Sequence, residues 1–172
     1  DADEHVTSMI KVHEFDENKY LIMVTRKGIV KRIELNAYNT ARKGGLIALE
    51  LNEGDELAWV RMTDGESEVI VATKKGMAIR FKETDVRPMG RQARGVKAIT
   101  LREDDEVIGM STVREDAYVL TVSETGYGRL SKLSDYRIQS RGGKGLTNYH
   151  VEKYGDVAAI KVVDMDDDII II

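Results

Sequence analysis

The sequence predicts an all-β protein, a propeller-like array of four-stranded blades with about three repeats of roughly 50 residues. Three observations carry that prediction. Gly45-Leu46-Ile47-Ala48-Leu49-Glu50-Leu51, Gly95-Val96-Lys97-Ala98-Ile99-Thr100-Leu101 and Gly145-Leu146-Thr147-Asn148-Tyr149-His150-Val151 align without gaps at a spacing of 50. The runs Leu57–Val60, Val107–Met110 and Val157–Ile160 recur at the same spacing. The apolar runs are 4–7 residues long, rich in β-branched side chains and bounded by Gly, Asp or Asn, with no clean helical period over 11 residues or more.

Taken in order, Val6–His13 reads as the last strand of a preceding repeat. Tyr20–Thr25 leads through Arg26-Lys27-Gly28 into Ile29–Arg32, a hairpin whose glycine supplies positive φ. Val69–Thr73 and Met77–Arg80 repeat it around Lys74-Lys75-Gly76. Tyr118–Ser123 and Tyr127–Leu130 repeat it around Glu124-Thr125-Gly126. Tyr20–Val24 is apolar on both faces, as a fully buried strand should be. Leu49 and Leu51 alternate with Ala48 and Glu50, the pattern of a half-buried strand. The repeats fall at approximately 20–66, 67–116 and 117–166, in a single partial domain, with 1–15 and 167–172 as strands of neighbouring blades. Ile169–Ile172 matches Val119–Val122 at a spacing of 50, so a fourth repeat is expected to begin there.

The 172 residues carry 26 Lys plus Arg and 30 Asp plus Glu, a net charge of −4 that argues against a polyanionic partner. Position reverses the argument. Residues 26–45, 74–97 and 129–144 hold 19 basic and 4 acidic residues, a net of +15, and the rest of the chain nets −19. Those stretches occupy the same part of each repeat, the second strand and the long loop after it, so they should share one edge. The candidate polyanion-binding residues are Arg26, Lys27, Lys31, Arg32, Arg42 and Lys43 in the first repeat. The second contributes Lys74, Lys75, Arg80, Arg87, Arg91, Arg94 and Lys97. The third contributes Arg129, Arg137, Arg141 and Lys144. Gly44-Gly45 and Gly142-Gly143 in these loops allow close backbone approach to a phosphate. About 10 phosphate contacts would set a log–log salt slope near −9. The acidic turns at 53–56, 103–106 and 164–168 should lie on another surface.

Several chemistries are excluded. The chain has no cysteine, hence no disulfide, thiol or cysteine-based metal site. It lacks a basic signal-peptide start and any apolar run of membrane-spanning length, and the cytoplasm fits best. Lys144 precedes Gly145, so the Gly-rich loop is not a Walker A loop. Asp164-Met165-Asp166-Asp167-Asp168 lacks the glycine and distal glutamate of a calcium loop. His5, His13 and His150 are isolated. Tyr20, Tyr118, Tyr127 and Tyr149 read as core or edge packing, and no catalytic constellation is present.

The stretch Asp85-Val86-Arg87-Pro88-Met89-Gly90-Arg91-Gln92-Ala93-Arg94-Gly95-Val96 resembles a signature of the C-terminal domain of the DNA gyrase A subunit. Glu124-Thr125-Gly126-Tyr127-Gly128 and Tyr136–Gly145 are similar to the same domain, and the resemblance covers essentially the whole chain. It implies a β-pinwheel of six blades in which neighbours exchange strands, about half of it present here. It implies a basic rim that wraps duplex DNA in support of ATP-dependent negative supercoiling. Its partners would be double-stranded DNA, the gyrase B subunit, in an A2B2 complex, together with the rest of the gyrase A subunit. The setting would be the bacterial cytoplasm at the nucleoid, with no membrane. Catalysis, ATP and Mg would lie elsewhere in the enzyme, leaving no cofactor here. The family's wrapping motif, Q-[RK]-R-G-G-[RK]-G, is matched by Gln139, Ser140, Arg141, Gly142, Gly143, Lys144 and Gly145, with Ser140 in place of a basic residue. Because this match follows the Arg87–Val96 block, it resembles a later-blade echo of the box rather than the primary one. The related protein of topoisomerase IV is the nearest alternative within the resemblance. A protein-interaction propeller meeting an acidic partner is the alternative outside it. Open blade edges should also let the chain self-associate.

Overall fold

Hairpin turns are set by short-range chemistry that repeats three times. The computed structural model describes residues 4–41 and 44–171. Strands β1 (Tyr20–Thr25) and β2 (Ile29–Glu34) form the first hairpin, with Gly28 at φ +81°. The Thr25 hydroxyl accepts the N–H of Ile29 at 3.1 Å. The Asp55 carboxylate accepts the N–H groups of Lys27 and Glu56, which ties the hairpin to the turn before β3 (Leu57–Thr63). In the second unit, β4 (Glu68–Thr73) and β5 (Met77–Lys82) repeat this with Thr73, Gly76 and Asp105. The other strands are β6 (Val96–Lys97), β7 (Val107–Thr112), β8 (Tyr118–Ser123), β9 (Gly128–Lys132), β10 (Leu146–Thr147) and β11 (Val157–Val163), with a four-residue helix α1 (Val151–Tyr154) and short 3-10 turns at Leu35–Tyr38, Glu83–Asp85 and Leu133–Asp135.

The strands form three antiparallel sheets in the orders β3-β1-β2-β6, β10-β5-β4-β7 and β11-β8-β9. The all-β array of blades is therefore present, with one rearrangement. β6 follows β5 in sequence yet pairs with β2, and β10 follows β9 yet pairs with β5. Each of these two-residue strands closes the edge of the preceding blade. β7 packs against both β3 and β11, so these strands gather on one side and β6 and β10 lie on the opposite, outer edges.

Burial follows the two-residue period of a strand. Ile22 and Val24 face Val69, Val71, Ile79 and Phe81 of the next blade in one core cluster. Leu21 and Met23 face the other way, into a cluster with Ile33, Leu35 and Val60. The both-faces-apolar reading of β1 holds because this blade is packed on each side. A third cluster, with Ile70, Ala72, Val119, Leu133 and Tyr136, joins the second and third blades. Each such aliphatic side chain contributes about 1.5–3 kcal/mol on burial.

Three sequence expectations are corrected. Val6–His13 is not a strand; it has no sheet partner among the described residues, although Ile10 and Val12 pack against the first blade's core cluster. Residues 46–51 are not a strand either; they have no sheet partner among the described residues. Residues 169–171 lie outside any sheet, and 172 lies outside the described residues.

Candidate nucleic-acid interface

The long loops after β5 and β9 carry exposed candidate cations. Each runs back along the outer edge of the preceding blade. Met89 N donates to Arg32 O at 2.9 Å before β6 pairs, and Gln139 N donates to Arg80 O at 2.8 Å before β10 pairs. The crossing depends on Gly95, at φ +90°, where a Cβ would lie 2.7 Å from the Val30 carbonyl; only glycine fits there.

Successive loops are stitched together by equivalent arginines. Arg91 donates to the Ile47 carbonyl at 2.7 Å, and Arg141, 50 residues on, donates to the Lys97 carbonyl at 3.1 Å. Arg141 also reaches the Asp85 carbonyl at 3.0 Å. Gly142 N donates to Ala98 O, and Thr100 donates through its N–H to Gly143 O and through its hydroxyl to Gly142 O. The box-like segment Gln139–Gly145 is thereby fixed against the loop of the second repeat.

The candidate cations sort into four environments. Arg87, Arg94, Lys97, Arg137 and Lys144 are exposed, and their side chains make no ion pair or hydrogen bond among the described residues. They fall in register at 50 residues, Arg87 with Arg137 and Arg94 with Lys144. Arg91, Arg129 and Arg141 donate to backbone carbonyls, Arg129 to that of Asn148. Arg26, Lys27, Lys74 and Lys75 sit at the hairpin tips among the acidic turns. There Arg26 pairs with Glu56 at 3.3 Å, Lys27 donates to Glu53 O, Lys74 pairs with Glu124 at 3.4 Å and Lys75 with Asp156 at 2.9 Å. The Asp156 hydrogen bond holds the Lys75 ammonium pKa above its ordinary value.

Lys31, Arg32 and Arg80 serve the interior. Lys31 is 2% exposed and its Nζ donates to the Arg91 carbonyl; burial lowers its pKa, opposed by Glu50. Arg32 is 7% exposed, stacks 4.7 Å from the Tyr20 ring and pairs with Glu83 at 3.7 Å. Arg80 binds Glu68 and the carbonyls of Leu133 and Tyr136, anchoring the start of the next loop. Arg42 and Lys43 lie outside the described residues. Two residues that sequence reasoning did not single out also shape the site. Glu83 has no exposed surface, and Tyr38 donates to the Ala48 carbonyl at 2.9 Å, its pKa pushed up to about 12 by burial. Tyr38 and Tyr136 occupy equivalent positions of the first and third repeats, the one signal that could have flagged them.

The stitching arginines predict a distinction between charge and position. Arg141→Lys keeps the charge but loses the planar fork that spans two carbonyls. In a gel-shift titration Arg141→Lys should therefore weaken duplex binding nearly as much as Arg141→Gln. Near-complete retention by the lysine variant would instead mark Arg141 as a phosphate contact.

Among the described residues no group of acidic or histidine side chains could hold a metal, and no helix is long and apolar enough to cross a membrane. The profile of the "DNA gyrase C-terminal domain, beta-propeller" matches residues 19–64, 67–114 and 117–164. The DNA gyrase A subunit of Staphylococcus aureus (strain MRSA252) is 39% identical over 99% of this chain, which spans 20% of that relative's length. The crystal structure of the C-terminal domain of DNA topoisomerase IV superposes with a TM-score of 0.88 at 27% identity, over 95% of this chain and 52% of that one. A DNA gyrase A C-terminal domain superposes with a TM-score of 0.78 at 30% identity, over 91% of this chain and 53% of that one. Three consecutive matches, each laid on one of the three blades, place the chain in the DNA gyrase C-terminal domain family of β-propellers.

Proposed function

We propose that this chain is a DNA-binding and DNA-bending module of a DNA gyrase. Its basic outer edge holds duplex DNA by the phosphates and supports the wrapping that accompanies ATP-dependent negative supercoiling. The observation that carries the reading is the register of free cations, Arg87 with Arg137 and Arg94 with Lys144, on loops locked together by Arg91 and Arg141. A rigid row of unpaired cations at blade spacing suits a charged polymer that lies across several blades. Such contacts position a duplex without reading bases, so sequence preference should follow deformability. In the full assembly the partners are a gyrase B subunit, in an A2B2 complex at the nucleoid, together with the remainder of the gyrase A subunit. ATP and Mg act elsewhere in that assembly, and the residues of this chain take no catalytic part.

Duplex binding measured across a salt series tests the reading. Five free cations give a log–log slope of roughly −4.5, from about −0.9 per phosphate. Affinity that is flat between low and moderate salt would refute it. Competition by polyglutamate as effective as competition by duplex DNA would favour an acidic protein partner on the same edge.

A further inference from the structure

Two tips on the outer edge pair a free cation with an exposed apolar side chain. In the second repeat Val86 has no exposed surface and Met89 packs against a core cluster, so Arg87 and Pro88 face outward between them. In the third repeat Tyr136 is 3% exposed and Gln139 is half-buried, so Arg137 and Ile138 face outward. The two tips are 50 residues apart in the chain.

Both tips are pinned at each end. Val86 N donates to Glu83 O at 2.9 Å, and Tyr136 N donates to Leu133 O at 3.0 Å. Pro88 forms a parallel bridge with Arg32, and Ile138 forms one with Arg80. The N–H groups of Met89 and Gln139 then close the tips onto the Arg32 and Arg80 carbonyls. A single exposed aliphatic side chain is ordinary. Here two recur in register, each next to an arginine whose guanidinium is unpaired among the described residues. Ile138 is 47% exposed. Pro88 stays exposed although the loop of the third repeat docks beside it through Arg141 and Gly142, so the exposure is a property of the tip itself.

We infer that Pro88 and Ile138 pack against deoxyribose rings of the duplex whose phosphates the adjacent arginines hold. This rests on the duplex-binding reading above and gives it an uncharged component. Along a strand each phosphate is followed by a sugar, whose C–H face is the apolar part of the backbone. A side chain next to a phosphate-bound arginine on pinned backbone meets that face. The proline ring is rigid and isoleucine is stiff at χ1, so ordering them on binding costs little. The contact stays on the groove wall. Insertion of such side chains from the minor groove kinks a duplex toward its major groove, away from the protein, which would oppose a wrap around this edge. Burial of apolar surface releases no counterions, so it adds affinity that salt does not remove.

A salt series of binding to a mixed-sequence linear DNA duplex tests the contact, with the parent beside a Pro88→Ser/Ile138→Asn double variant. Both side chains lie outside the core clusters, so the variant should keep the parent's circular dichroism and melting temperature. Its affinity should fall about tenfold at every salt concentration with the log–log slope unchanged. Ile138→Asn alone, which leaves Pro88 in place, should lose about threefold in the same way. Hydroxyl radicals attack deoxyribose hydrogens, so the parent should protect sugars that the double variant leaves open to cleavage. Ile138→Leu should keep both affinity and protection. Unchanged affinity in the double variant beside a steep parent slope overturns the inference and leaves the phosphate reading standing. A variant slope lowered by about 0.9 or more also overturns it, because the loss would then run through the phosphate contacts of Arg87 or Arg137. A parent slope near zero removes the phosphate reading and this contact with it.

Discussion

Replacing Arg87, Arg94, Lys97, Arg137 and Lys144 together by glutamine should nearly abolish duplex binding at moderate salt while leaving the fold intact. Each removed phosphate contact reduces the log–log salt slope by about 0.9, so the five together account for the whole of the expected slope of roughly −4.5. All five are exposed and unpaired among the described residues, so their replacement breaks no side-chain hydrogen bond or ion pair there. A matched control changes Lys27, Lys74 and Lys75 to glutamine. Those ammonium groups already face Glu53, Glu124 and Asp156 among the acidic turns, and their loss should move affinity much less. Equal losses in the two sets would mean that the whole basic content acts as one diffuse field. Unchanged binding in the five-residue variant would remove the outer edge as the interface.

Much of this was legible in the amino-acid order because it depends on local chemistry. The hairpins follow from Thr or Ser at the end of one strand and Gly three residues later, and the Asp55 and Asp105 turns follow from one carboxylate accepting two N–H groups. Strand exchange was not legible from period alone. A run such as Val96–Lys97 looks the same whether it pairs within its own repeat or with the preceding one, and only the partner's edge decides. Residues 46–51 likewise read as a strand in the sequence, since they have the pattern, although they have no sheet partner among the described residues. The charge stripe was legible as a sum but not as a set of contacts. Lys31 and Arg32 carry the right sign in the right segment. Their alkyl stems suit a buried position, though, and Lys31 Nζ donates to the Arg91 carbonyl while one terminal guanidinium nitrogen of Arg32 donates to the Gly65 carbonyl. The edge that remains is narrower than the sequence count and better ordered, because Arg91 and Arg141 spend their guanidinium groups on holding it.

Glu83 should prove the most costly single side chain to remove. Counted by sign it merely offsets the second basic stretch. In the fold it has no exposed surface, and its carboxylate accepts the Thr63 hydroxyl and the Ser67 N–H, each at 2.7 Å, beside the Arg32 guanidinium at 3.7 Å. The first and third repeats put Leu35 and Leu133 at this position, so the blade itself does not require a charge there. What requires it is Arg32, 7% exposed and held under the Tyr20 ring. Glu83→Ala leaves that guanidinium buried without its counter-ion and should cost about 3–5 kcal/mol. For a domain of this size that is a fall of roughly 10 °C in melting temperature. Converting both residues to leucine removes both charges at once, so the double variant should lose less than the two single variants summed, a coupling readable by a double-mutant cycle. The same cycle separates structure from binding. If Arg32 acts only inside the blade, the folded double variant keeps the parent's duplex affinity and salt slope. A slope lowered by about one unit in that variant would return Arg32 to the phosphate-contacting set.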